Sequence, residues 1–191
     1  MQKINGYESA EPIIGGGVYV LPTGNYKMKI IKAEETTSKS GRQMLKIAFD
    51  VAEGEFKDFY KKKYEVDLKR QSNANSNKVA KWSNDAIYYQ MCDENNLGRF
   101  KGFMKCLEDS NPNFTWEWDE SKLKGLLFAG QTHNEPDEYN GKVYDHNKLV
   151  NVYPVSELEN LPVLADKELN KEQDFSGGFG GTVANDEEIP F

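Results

Sequence analysis

The chain has 191 residues, 38% of them hydrophobic and 29% charged, with a formal net charge of −7. That length suits one domain with a core and an appended tail, and the composition is that of a soluble globular chain. No run approaches the roughly 18 apolar residues of a membrane span. The opening stretch MQKINGYESAEPIIGGG also lacks the charged and apolar regions of a secretory signal. A cytoplasmic protein with Cys92 and Cys106 reduced is therefore expected.

Residues 1–22, with IIGGG and LPTG, are read as an arm or an extra strand. GNYKMKIIKAEET alternates, placing Tyr26, Met28 and Ile30 on one face and Lys27 and Lys29 on the other, which predicts a half-buried strand. TSKSGRQ is a polar loop turned by Gly41, with Arg42 at its tip. A second strand follows in MLKIAFDV, where Leu45, Ile47, Phe49 and Val51 share a face. After the turn AEGEF, the run FKDFYKKKYEVDL alternates again, and a third strand is expected there with Tyr64, Val66 and Leu68 on one face. A polar patch, KRQSNANSN, leads to helical patterning. In GRFKGFMKCLED, Phe100, Phe103, Met104 and Leu107 are spaced i, i+3, i+4 and i+7, one stripe of a helix. SNPNF stops it. Two further strands, GLLFAGQT and KLVNVYPV, flank a polar hairpin with a turn at Asn140–Gly141.

Three strands, a helix and two strands is the order of an OB-fold-like, five-stranded Greek-key barrel with its helix between strands 3 and 4. The fold class is mainly β, with a domain over residues 1–155 and a disordered acidic tail over residues 156–191.

Charge is distributed unevenly. From Val155 to Phe191, nine carboxylates face only Lys167 and Lys171, a net of −7 that accounts for the whole chain's net charge. Residues 24–106 hold 17 Lys and Arg against 11 Asp and Glu. The acidic total thus hides a basic centre.

His133 and His146 lie in one polar loop with Glu135, Asp137, Glu138 and Asp145, but without zinc-ligand spacing, so a solvated hairpin is the preferred reading. No phosphate-binding glycine motif, activated nucleophile or catalytic carboxylate pair is apparent, so the expectation is no enzyme, no metal and no cofactor. The basic centre is more informative. Cations that track phosphates and aromatic rings that stack on unpaired bases are the two ingredients of single-strand binding. Lys27, Lys29, Arg42, Lys46, Phe59, Tyr60, Lys61, Lys63, Lys69, Arg70 and Trp82 are the candidate DNA contacts. Phe49 and Tyr64 are assigned to the core.

The chain ends in DEEIPF behind the glycine-rich FSGGFGGTVAN. Ile189 and Phe191, separated by Pro190, would present two apolar anchors, while Asp186, Glu187 and Glu188 would steer them toward a basic-rimmed pocket. This ending resembles the acidic tip of bacterial single-stranded-DNA-binding proteins, which finish in aspartates followed by Ile/Leu-Pro-Phe. The stretches LPTGNYKMKIIKAEETTSKSGRQMLKIAFDV, GRFKGFMKCLEDSNPNF and LKGLLFAG…EYNGKVY are similar, diffusely, to small proteins of phage replication or recombination modules. The resemblance implies an OB body that coats single-stranded DNA and a tip that recruits host or phage replication, recombination and repair proteins. A homo-oligomer joined through barrel edges is compatible with it. The alternative is an adaptor whose OB-like body binds protein and not DNA.

Overall fold

The computed structural model describes residues 7–9, 20–73 and 79–169. Five strands form one antiparallel sheet: β1 (Gly24–Thr37), β2 (Gln43–Val51), β3 (Ile87–Met91), β4 (Leu127–Tyr139) and β5 (Lys142–Tyr153). Helix α1 (Phe59–Asn73) lies between β2 and β3, and α2 (Leu97–Ser110) between β3 and β4. The sheet order is β3-β2-β1-β4-β5. The first four strands thus stand in the order 4-1-2-3 of a Greek key, with β5 added to β4 through a hairpin. The fold is mainly β and OB-like, with a helix between the third and fourth strands, and the sheet is not closed: β3 pairs only with β2, and β5 only with β4, among the described residues.

At that seam, side chains stand in for a ladder. His146 Nδ1 on β5 lies 2.8 Å from Asp85 Oδ1, just before β3, and α2 packs against β3, β4 and β5. Phe100, Phe103, Met104 and Leu107 of α2 are buried, the stripe that the spacing predicts. The helix is fixed at its C-terminus by Asn111, whose amide donates to the Leu107 and Leu127 carbonyls (2.7 and 2.9 Å) and accepts from Leu127 N (3.0 Å). Inside the sheet, Met28, Ile30, Leu45, Ile47, Phe49, Val51 and Phe128 form the core. Gly130 is needed there, because a Cβ would stand 2.9 Å from both Met28 Cγ and Leu149 Cδ1. The β4–β5 turn is Asn140–Gly141, both at positive φ (52° and 72°), the two-residue reversal that suits strand twist. Both strands run well into the segment expected to be a polar loop.

Two expectations are corrected. The run FKDFYKKKYEVDL is not the third strand; its second part forms α1. The third strand is IYYQM at Ile87–Met91, inside the region expected to be helical. The cause lies in Asp50, a carboxylate on β2 with no solvent exposure. It accepts from Val51 N (2.8 Å), Tyr60 N (3.0 Å) and Lys61 N (2.9 Å), so it caps the first turn of α1. Burial pushes its pKa above the usual carboxylate value, and these three N–H groups oppose that shift.

The second correction concerns the C-terminal boundary. Beyond β5 the chain makes a 3-10 turn at Val155–Asn160 and then crosses the outer side of β1 and β4. Asn25 Nδ2 donates to Leu161 O (2.7 Å) and Gln131 Nε2 to Pro162 O (2.7 Å). Thr23 Oγ1 donates to Asp166, and Lys167 N donates to Asn134 O (2.8 Å). This strap carries the ordered body past Val155 to Lys167. The acidic tip, Asp186–Phe191, lies outside the described residues, as does most of the expected N-terminal arm.

Candidate nucleic-acid interface

The register of the sheet decides which candidates share a surface. Glu34 pairs with Lys46 and Lys46 with Tyr89, so these three form one row across β1, β2 and β3. They alternate with the inward Leu45 and Ile47, and the row therefore lies on the outer face. Tyr89 is 40% exposed. The Lys46 side chain is only 13% exposed, with its ammonium 3.9 Å from Glu34, and the next outer row holds Lys32, Ala48 and Ile87. At the end of β1 and β2, the Ser38–Arg42 tip is folded on itself: Ser38 N donates to Arg42 O and Gly41 N to Ser38 O. Arg42 Nε reaches Asp93 Oδ2 at 2.7 Å. Its hydrogen bond holds the Asp93 carboxyl below the usual range.

The other candidate cations lie on β1 and along α1. Lys27 bonds Glu53 (3.0 Å), Lys29 stands 3.9 Å from Asp58, and Lys61 stands 4.0 Å from Glu65. Lys61 and Lys69 are exposed on α1, with Lys63 half-buried between them; Arg70 lies in the same helix. Among the described residues, at least five of the candidate cations thus have carboxylate partners. Such exposed pairs contribute only about 0–1 kcal/mol, so exchange of a carboxylate for a phosphate is cheap.

The aromatic candidates fare differently. Tyr60 is 1% exposed and packs edge-on against Phe49 at 6.0 Å, so it is a core residue and not a stacking platform. Trp82, at 9% exposure, belongs to the same core beside Tyr64. Phe59 is partly buried between Phe56 and Tyr60. As a strand, this segment would set Phe59, Lys61 and Lys63 on the face opposite Tyr64, but it is helical and that alternation does not apply. Phe49 and Tyr64 do pack in or against the core.

Exposed rings occur outside the candidate set. Besides Tyr89, they include Tyr7, Trp118, and Tyr139 and Tyr144 on the β4–β5 hairpin. The signal for Tyr89 was present: Ile-Tyr-Tyr between polar Asn84-Asp85 and Cys92-Asp93 is a short strand-forming run. The two histidines serve different neighbours, His133 at 3.4 Å from Glu135 and His146 on Asp85. Among the described residues no group of three or more His, Cys, Asp or Glu side chains gathers in a metal-binding arrangement, and no helix is long and apolar enough to cross a membrane. Cys92 and Cys106 are free and half-buried, and burial raises both thiols.

The architecture is that of an OB-like domain whose outer β1–β3 face carries mixed charge and one exposed tyrosine. Residues 13–105 match the family model described as a protein of unknown function (DUF669). The match takes in β1, β2, α1, β3 and part of α2. No curated protein matches the chain.

Proposed function

We propose that the chain binds and coats single-stranded DNA without catalysis, and that its DEEIPF ending recruits replication, recombination and repair enzymes of a phage or its host. One observation carries the first half: Lys46 and Tyr89 are register partners on the outer face of β2 and β3, the strands through which OB folds hold oligonucleotides. A phosphate on Lys46 and a base on Tyr89 would use the two ingredients of strand binding side by side. Arg42 at the hairpin tip and the cations of α1 extend the phosphate track. The second half rests on the sequence resemblance of residues 186–191.

The pairing of the candidate cations with carboxylates favours a second reading, an adaptor whose OB-like body binds protein. Fluorescence titration with oligo-dT at several salt concentrations separates the two. A strand binder gives log K falling with log salt at about −0.7 per phosphate neutralised. No binding at low salt overturns the proposal and leaves the adaptor. Metal-dependent turnover of the oligonucleotide overturns both.

A further inference from the structure

The loop between α2 and β4 displays a tryptophan that packing alone does not explain. Trp118 is 76% exposed, and its backbone sits at φ 61°, a left-handed conformation that bulky side chains rarely adopt. The ring is nonetheless supported. Its centroid lies 6.1 Å from that of Phe100 and 6.0 Å from that of Trp116. Trp116 in turn meets Phe100 edge-on at 6.0 Å, and its backbone N–H donates to Glu108 Oε1 at 3.0 Å. Leu97, 52% exposed, is one helical turn before Phe100 and adds apolar surface at the start of α2. Two aromatic side chains thus hold a third outward.

Around Trp118 the charge is mainly acidic, although the loop also carries Lys122 and an exposed Lys124 nearer β4. Glu108, Asp109, Glu117, Asp119 and Glu120 fall between residues 108 and 120, where there is no lysine or arginine. The flanking Lys105 and Lys122 are engaged with Asp109 and Glu117. Arg99 and Lys101 are exposed on α2, and Arg99 acts on the Tyr88 hydroxyl. A phosphate chain approaching Trp118 meets carboxylates, whereas a cationic side chain meets an indole face ringed by them, the arrangement in which guanidinium stacks best.

We propose that Trp118 and its acidic surround form a docking site for an arginine-bearing basic segment of a partner protein, separate from the outer β2–β3 face. The full chain is titrated with a hexa-arginine peptide, with hexa-lysine and oligo-dT as comparison probes. Hexa-arginine should bind more tightly than hexa-lysine, and Trp118→Ala should weaken it by about tenfold, the scale of a desolvated cation–π contact. Trp118→Phe should retain most of the affinity, and the triple variant Glu117→Gln, Asp119→Asn, Glu120→Gln should reduce both its strength and its salt dependence. A melting curve of each variant tells loss of binding from loss of fold. Equal hexa-arginine affinity in the native chain and Trp118→Ala overturns the site. So does oligo-dT shielding Trp118 from acrylamide, measured against Trp118→Phe, since the indole is then a platform for bases. Neither result bears on Lys46 and Tyr89.

Discussion

Two regions of this molecule combine rings and charges in opposite ways. Where β1 and β2 meet α1, the cations are exposed or half-exposed and the rings are turned inward: Phe49 and Tyr60 are buried, and Phe59 is wedged between Phe56 and Tyr60. Around Trp118, in the α2–β4 loop, the nearest charges in sequence are acidic and a ring stands in solvent. Interleaving of aromatic and basic residues along a sequence is therefore no guide to their sharing a surface. Only register and helical phase bring them together, as at Lys46 and Tyr89.

The largest expected effect breaks the basic region at its root. Asp50→Ala removes the acceptor of three backbone N–H groups in a buried site, and a loss of about 3–5 kcal/mol is expected. Urea denaturation measures it, and a loss below about 1 kcal/mol would contradict the capping role. Asp50→Asn keeps the shape and one acceptor and should fall between. Because the folded pKa of Asp50 is raised, the native state binds this proton more readily than the unfolded chain. Its contribution to stability is greatest below the unfolded value of 3.8 and declines as pH rises through the folded value. Asp50→Asn should remove that slope.

Next in size is the proposed strand-binding face. Tyr89→Ala should weaken oligo-dT binding by about 1–3 kcal/mol, the worth of one aromatic stack. Lys46→Ala should reduce the salt slope by about 0.7. Trp118→Ala should leave oligo-dT affinity essentially unchanged, so the three variants together test whether the two regions work independently.

A smaller effect sharpens the acidic side. Trp118→Gly relieves the left-handed backbone and should gain about 1 kcal/mol, offset in part because the ring no longer packs on Trp116 and Phe100. A clear fall in melting temperature would show that this packing outweighs the strain.

How much the sequence revealed depends on where each element's determinants lie. For α2 they are local: a stripe at i, i+3, i+4 and i+7 has no reading as a strand. For α1 they are not. Tyr60 and Tyr64 are four apart, a spacing that fits one face of a strand and one face of a helix alike. The deciding group is Asp50, on another element and ten residues before Tyr60. The hairpin turn at Asn140–Gly141 was legible because it depends on two adjacent residues. The length of its strands was not, because Glu135, Asp137 and Asp145 carry the polarity of a loop yet sit in a ribbon whose far end is exposed on both faces. Of the candidate contacts, Lys46 was legible through parity on β2. Its partner Tyr89 was missed because β3 was not recognised.

The smallest effect belongs to the strap. Partial burial pushes the Glu135 carboxyl up, but Lys167 and Lys148 outweigh it and hold the pKa down to about 2. A depressed carboxylate contributes stability above its unfolded value of 4.5 that is lost as pH falls toward about 2. Screening at this partly exposed site limits it to about 1 kcal/mol. Glu135→Gln should flatten stability over that window in acid titrations followed by circular dichroism.

The same strap has a mechanical consequence. Any force applied to the C-terminal residues enters the domain at Leu161–Lys167, where the attachments are to Asn25 on β1, Gln131 and Asn134 on β4, and Thr23 just before β1. These are interior strands, each hydrogen-bonded on both sides. A pull would load several bonds across the middle of the sheet before it reached β5, whose free edge would otherwise peel one pair at a time.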